Sequence, residues 1–329
     1  MSLKHQQPHP LPTVSICTPT FNRRPFIPYL VHCVKHQTYP LDKMEWVIVD
    51  DGTDPIGDLV QNITFVSVKY IRVETKMPLG EKRNYMHQHC SGDVLVYMDD
   101  DDYYPPERVS HAVERLMENS DVLIAGSPMM DIYFKDIDKT YRFGPYGQNH
   151  ATAATFAFRK GLLLQTQYDN TKSIAEESQF LKNYTIPMVT LDPTKTILVF
   201  SHIHNSVDKL ELLSQGDLSA NPFIKESPTT PRDYVKDAFL YAFYVDNVNT
   251  ELSEYSPGHP SNKLDVLLDV ANSKIRMYEK QLDHASHQLN YMAEENSKLR
   301  EMNRILTERL RTMINGNIDK HRSGWTPGR

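Results

Sequence analysis

Val94-Leu95-Val96-Tyr97-Met98-Asp99-Asp100-Asp101-Asp102 places five consecutive apolar or aromatic residues directly before four carboxylates. The apolar run predicts a strand buried on both faces, as in the parallel sheet of an α/β protein. Four acids at its end repel one another and gain nothing from a core. A divalent cation is the usual compensation, because hard cations take carboxylate oxygens and can bridge them to a diphosphate. Asp99 and Asp101 form a D-x-D pair whose side chains would lie on one side of an extended segment. The plainer alternative is a solvated acidic turn, but such turns seldom follow so apolar a strand.

Working outward, the chain alternates strand and helix signals. Val14-Ser15-Ile16-Cys17 predicts a first strand, and 26–37 a helix. Trp46-Val47-Ile48-Val49 predicts a second strand that ends at Asp50-Asp51-Gly52, and 65–73 holds a third. A helix is expected over 79–89, before the acidic strand, and another from Pro105-Pro106-Glu107 to about Asn119, with proline in its first turn. This β-α-β-α order predicts an α/β fold: a Rossmann-like, mostly parallel sheet with helices on both faces. Ligands of such sheets bind at the carboxyl ends of the strands, where Asp50-Asp51 and Asp99–Asp102 both fall. After residue 120 short strands are expected at 122–125, 129–134, 155–158 and 196–200, with helices at 174–183 and 234–248.

Composition sets further bounds. With 329 residues, 40% hydrophobic and 10% aromatic, the chain can bury a sizeable core. Its net charge is −6, which gives no reason to expect nucleic acid as a partner. Residues 261–329 carry 12 Lys/Arg and 9 Asp/Glu, so +3, which leaves −9 for 1–260. An acidic body that grips a nucleotide diphosphate needs a metal or local cations. Cys17, Cys33 and Cys90 are odd in number and lack C-x-x-C spacing, so they predict reduced core thiols. The N-terminus has no apolar leader and no stretch approaches 18 apolar residues, so no membrane span and a cytoplasmic, soluble protein are expected.

The domain boundaries expected are a disordered tail at 1–12, a catalytic domain at 13–215, a linker or helical subdomain at 216–262, a coiled-coil helix at 263–315 and a flexible tail at 316–329. From Leu268 to Met313 apolar residues and two asparagines alternate spacings of three and four without a break. That is a heptad repeat with Leu268 at a, and it contains no Pro or Gly. Asn296 and Asn303 fall at a, where buried asparagine favours a parallel, in-register dimer. Lys274 with Glu279, and Glu295 with Arg300, are g-to-e′ pairs of opposite sign. Self-association through 268–313 is therefore expected. The plainer alternative is an amphipathic helix folded onto its own domain.

Four motifs sit in order at strand ends: Thr18-Pro19-Thr20-Phe21-Asn22-Arg23, Asp50-Asp51-Gly52-Thr53, Gly80-Glu81-Lys82-Arg83-Asn84 and Tyr97 to Asp102. Together they resemble the family 2 glycosyltransferases, inverting enzymes of GT-A fold, over roughly 13–206. The resemblance implies that Thr18, Pro19, Asn22 and Asp51 hold the nucleotide, with Asp50 replacing Asp51 if the register shifts by one. It places Arg83 near the donor. Lys82 and Arg83 could also meet phosphate directly, as a point charge and a fork. Asp101 is implied as the Mn²⁺ or Mg²⁺ ligand, with Asp99 reaching ribose or metal and Asp100 as the off-register choice. Asp102 matches a further acid of the family. Glu176-Glu177 matches its Glu-Asp pair, whose second member is the general base. Here that member is Glu177, one methylene longer, so Glu176 stays open as the base. His202 matches a His-x-x-Asn element, and His204, two residues on, would face the same side of an extended chain.

The reaction implied is transfer of a sugar from a nucleotide diphosphate, by default a UDP-hexose, to the hydroxyl of a glycan or other acceptor. Two other classes remain. A nucleotidyltransferase would need a Gly-rich basic loop after the first strand, which Thr18-Pro19-Thr20-Phe21-Asn22 is not. A non-catalytic, transferase-like scaffold displayed by a coiled coil conflicts with the intact acids.

Overall fold

The computed structural model describes residues 10–205, 209, 213 and 221–257, together with 282, 286, 288, 289, 291–311 and 313. Residues 1–9 of the tail expected at 1–12, the tail expected at 316–329 and, of the heptad repeat, 312 and all of 268–290 but 282, 286, 288 and 289 lie outside the described residues. The chain divides into two units, 1–267 and 268–329.

In the first unit, β1 (Val14–Thr20) and β2 (Met44–Asp50) are buried at every position. They run parallel, with Thr20 opposite Asp50. β3 (Ser67–Arg72) extends the parallel ladder on one side and β4 (Val94–Tyr97) on the other, with Cys17 opposite Tyr97. The seven-stranded sheet has the order β3-β2-β1-β4-β8-β5-β9. Here β8 (Ala157–Arg159) is antiparallel to both neighbours, whereas β5 (Ile124–Gly126) and β9 (Met188–Thr190) pair parallel. The α/β class with a mostly parallel sheet is as expected. α1 (Ile27–Lys35) and α4 (Arg108–Glu118) bury Leu30, Val34, Val109, Val113 and Leu116 in one apolar layer. Residues from α3 (Leu79–His87), Met86 among them, join Cys17, Val49 and Leu95 in a second.

A second sheet was not expected as such. Its order is β10-β6-β7-β11, made by Leu198–Ser201, Met130–Phe134, Lys139–Phe143 and Ile224–Glu226. β7, β9 and β11 are too short or too polar to announce themselves. β11 belongs to the segment expected as a linker or helical subdomain. Within that segment Tyr234, Leu240, Phe243, Tyr244, Val248 and Leu252 all join the main core of the first unit. The Phe243 ring stacks on Tyr29 of α1 at 3.6 Å. Aromatic residues among prolines look like loop in sequence, but their burial makes them core.

The helix expected at 174–183 shrinks to α5 (Glu177–Phe180). Ala175 before it and Lys182, Asn183 and Tyr184 after it all have positive φ, a conformation that ends a right-handed helix.

In the second unit, 291–311 are helical throughout. Leu289, Met292, Leu299, Leu306 and Leu310 of the a/d stripe are exposed. Lys298–Glu295, Arg304–Glu301 and Arg304–Glu308 pair along the helix surface. Among the described residues, no helix is long and apolar enough to cross a membrane.

Candidate active site

The carboxyl ends of β1, β2 and β4 bring three of the motifs together. β1 runs three residues further than expected, so Thr18 and Pro19 lie inside the strand, not in a loop. Pro19 is tolerated because the ladder to β4 stops at Cys17. Thr18 Oγ1 donates to the Met98 carbonyl at 2.7 Å and accepts from Trp46 Nε1 at 2.9 Å. It ties β1 to both neighbouring strands.

Asn22, at φ 53°, binds the neighbouring loop with its Oδ1, which accepts from the Thr53 and Asp54 amides at 2.7 and 3.2 Å. Asp50 faces that loop: its oxygens accept from the Gly52 and Ile56 amides and from the Tyr70 hydroxyl. Asp51 turns the other way. It pairs with Lys82 and accepts from the Met77 amide at 2.7 Å. Lys82 also donates to the Thr20 carbonyl at 3.0 Å. Burial lowers the Lys82 pKa, while Asp51 opposes that shift. Of the two adjacent acids, Asp51 is therefore the one joined to α3.

Gly80 lets α3 approach the chain that leads to Glu176. Its amide donates to the Lys172 carbonyl at 2.8 Å, and a Cβ there would lie 2.1 Å from the Asp169 carbonyl oxygen. One turn on, Arg83 is buried. Its Nη1 and Nη2 face Asp99 Oδ1 and Oδ2 at 3.4 and 3.3 Å, and its Nε donates to Glu176 Oε1 at 3.1 Å. Its guanidinium lies 4.4 Å from the centre of the Tyr97 ring. Glu176 and Glu177 thus stand beside the acidic run, although 77 residues separate Glu176 from Asp99. The left-handed turn at Ala175 precedes them directly. Burial, and then the charge of Glu176, push the Glu177 carboxyl up to about 7.

The acidic run is a turn, not an extended segment, so Asp99 and Asp101 take different partners. Asp101 Oδ2 lies 3.3 Å from Arg23 Nε and 3.2 Å from His202 Nε2. Burial opposes its ionisation, but His202 and Arg23 prevail and hold this carboxyl well below the usual range. Asp100, 3.8 Å from Arg23, is raised to about 7 by burial and then by Asp101. Burial and Asp101 also raise Asp102, whose Oδ1 accepts from the Phe200 amide at 3.3 Å.

Compensation of the acids is therefore shared by Arg23 and Arg83, and sequence reasoning gave Arg23 no role. Its signal was its position, three residues past the end of a strand adjacent to β4.

His202 lies against Asp101, whereas a turn replaces the extended chain on which the reading of His204 rested. The Asn205 amide donates to the His202 carbonyl at 3.0 Å, so the chain turns and the alternation argument fails. The His204 ring lies 6.1 Å from Tyr255, and its carbonyl accepts from Arg23 at 2.9 Å. The His202 ring is buried, packs 4.8 Å from Phe26 and has its pKa lowered to about 4, chiefly by burial. Among the described residues, no three His, Cys, Asp or Glu side chains are already gathered as a metal cluster. A carboxylate and a neutral imidazole 3.2 Å apart nevertheless make two suitable donors for a divalent cation whose other ligands come from substrate and water.

The model of glycosyl transferase family 2 matches residues 15–179, half of the 329. The chain belongs to that family. The family's sequence is thus carried here on a mostly parallel α/β sheet. Its relatives include an uncharacterized glycosyltransferase of Haemophilus influenzae, 31% identical over 33% of this chain and 36% of the relative. They also include a putative teichuronic acid biosynthesis glycosyltransferase, TuaG, of Bacillus subtilis, 30% identical over 33% of this chain and 44% of the relative. The chain therefore spans less than half the length of these two. Among solved structures, TarS 1–349 of Staphylococcus aureus superposes with a TM-score of 0.44 at 22% identity, over 57% of this chain and 60% of that one. The mannosyltransferase PcManGT of Pyrobaculum calidifontis, solved with GDP-Man and Mn²⁺, gives 0.48 at 15% identity, over 80% and 81%.

Proposed function

We propose that this family 2 glycosyltransferase moves a sugar from a nucleotide diphosphate, a UDP-hexose by default, to an acceptor hydroxyl with inversion at the anomeric carbon. The observation that carries the reading is Arg83. One guanidinium holds Asp99 of the acidic run and Glu176 of the carboxylate pair. One acid of the run and the neighbour of the candidate base thereby meet on a single buried cation. Glu177, with its pKa near 7, suits a general base that takes the proton from an attacking hydroxyl. Glu176, engaged by Arg83, acts as its anchor.

Asp101 and His202 would hold the cation, with Asp99 within the same acidic turn. Mn²⁺ or Mg²⁺ bound there would neutralise the diphosphate leaving group as a Lewis acid. Asp51 and Lys82 would flank the nucleotide at the end of β2. Self-association through the heptad helix belongs to the same proposal, with a second copy of the chain as partner.

A thermal-shift screen of nucleotide sugars identifies the donor. NMR of the product then reads the anomeric configuration, and retention would exclude a single displacement.

A further inference from the structure

A row of aromatic rings starts in the loop that follows α5, the helix that begins at Glu177. Tyr184, four residues past α5, stacks on His150 with ring centroids 4.2 Å apart and planes 13° from parallel. His150 meets Tyr146 at 5.1 Å, and Tyr146 meets Phe223 at 5.3 Å. Three segments converge to make the row: the loop after α5, the loop between β7 and β8, and the turn before β11. The inner rings, Tyr184 and His150, are half-buried, while Tyr146 and Phe223 are each 41% exposed. The inner end belongs to the loop that folds back on α5, where the Asn183 amide donates to the Ser178 carbonyl one residue after Glu177, and burial first, then the charge of Glu177, raise the pKa of the Tyr184 phenol.

Strained backbone carries the inner rings. Lys182, Asn183 and Tyr184 have φ of 49°, 54° and 63°, and Asn149, next to His150, has 58°. A Cβ–carbonyl clash disfavours this region for L residues, and such strain persists only where the surroundings impose it. Here they do. The Asn183 amide donates to the Ser178 carbonyl at 2.7 Å, and the Met188 amide donates to Asn149 Oδ1 at 3.2 Å. The outcome of this strain is the stacking of Tyr184 on His150.

The chemistry of the row is neutral and apolar. Burial lowers the His150 pKa, so at neutral pH none of the four rings carries charge. Aromatic faces offer large apolar area with a negative quadrupole. The C–H face of a pyranose complements that with weak C–H donors. A phosphate would find no counter-charge on these rings.

We propose that Tyr184, His150, Tyr146 and Phe223 form an acceptor subsite for the pyranose rings of a glycan, with the reacting sugar at the Tyr184 end. The assignment rests on the transferase reading in which Glu177 is the base. Lys182, on the same loop, makes a polyprenyl phosphate the acceptor against which it must be tested.

The test uses the full chain with three probes: maltotriose, cellotriose and N,N′,N″-triacetylchitotriose. Saturation-transfer NMR should show ring C–H protons of at least one trisaccharide against the protein. Each of Tyr146→Ala and Phe223→Ala should weaken that binding on the order of ten-fold, whereas Tyr146→Phe, which keeps the ring, should not. UDP binding by calorimetry serves as the folding control. No signal from any trisaccharide overturns the proposal. So does equal binding by the Ala variants, or sugar transfer onto undecaprenyl phosphate that the Ala variants leave intact. Trisaccharide binding lost in the Ala variants, with no nucleotide sugar bound by the wild type, would keep the subsite and remove the transferase reading instead.

Discussion

Arg83 meets Asp99 as a two-point fork, Nη1 to Oδ1 at 3.4 Å and Nη2 to Oδ2 at 3.3 Å, while its Nε is committed to Glu176. Planar fork geometry lets one side chain serve two carboxylates along different edges. An ammonium has no such edges. This contact joins α3, the turn after β4 and the residue before α5, so it fixes where Glu177 stands relative to the acidic run.

Arg83→Lys should therefore impair both stability and turnover. Lysine satisfies one carboxylate and leaves the other buried beside it. Removing a partner from a buried ion pair costs about 3–5 kcal/mol, and Arg83→Ala should approach that range in urea unfolding, with Arg83→Lys intermediate. Stability unchanged in both variants would show that Arg83 does not hold the site together.

Glu177→Gln should lose at least ~10²-fold in turnover, the scale expected for a general base, while nucleotide-sugar binding persists. If Glu176→Gln is crippled and Glu177→Gln is not, the two roles exchange.

The same carboxyl predicts a pH dependence. Its native pKa of about 7 lies above that of an unfolded glutamate, about 4.3. Between those values the native state keeps a proton that the unfolded state has released. Stability therefore falls as pH rises through the window. Glu177→Gln should match wild type at pH 4 and exceed it at pH 8 by on the order of 1–3 kcal/mol. In wild type, kcat/KM should rise with pH to a midpoint near 7, because only the ionised carboxylate accepts a proton. A flat profile from pH 5.5 to 8.5 would rule out Glu177 as the base.

Metal dependence is the fourth test. Asp101→Ala should abolish Mn²⁺-dependent donor binding measured by calorimetry, and His202→Ala should weaken it. Full activity in EDTA would return Asp101 and His202 to a purely structural pairing with Arg23.

The legible part of this protein was its parallel half. β1, β2 and β4 are buried throughout, and each leads to a polar motif, so strand and site were visible together. The Asp51–Lys82 contact could not be read, because it depends on which way two adjacent acids face. Arg23 escaped notice because its partners lie 77 to 78 residues away, across the sheet. The segment 221–257 misled for a different reason. Its prolines imitate a linker, whereas Tyr234, Phe243 and Tyr244 are buried by elements far off in sequence. His204 misled because a turn at 202–205 replaced the extended chain on which period-two reasoning depends.

Assembly is the last prediction. In 291–311 the a and d side chains form one exposed apolar stripe: Met292, Leu299, Leu306 and Leu310 are each at least 50% exposed, which is costly in water for side chains of this size. A second copy of the same helix, parallel and in register, covers that stripe and places Asn296 opposite Asn296 and Asn303 opposite Asn303. Each asparagine then finds a partner for its amide, which it would not find if the helices slid by a heptad or assembled as a trimer. Charge agrees with this register, since Glu295 at g can reach Arg300 at e of the other copy once it leaves Lys298. Replacing both asparagines with isoleucine should raise the thermal stability of the assembly and loosen its stoichiometry toward trimers or higher. Truncation after Leu267, the end of the first unit, should give a monomer that still hydrolyses donor, because every residue assigned to donor, metal or base lies at or before His204. Light scattering that finds the full chain monomeric at micromolar concentration would refute the dimer. A truncated chain that is folded yet inactive would instead make the C-terminal unit part of the catalytic machinery.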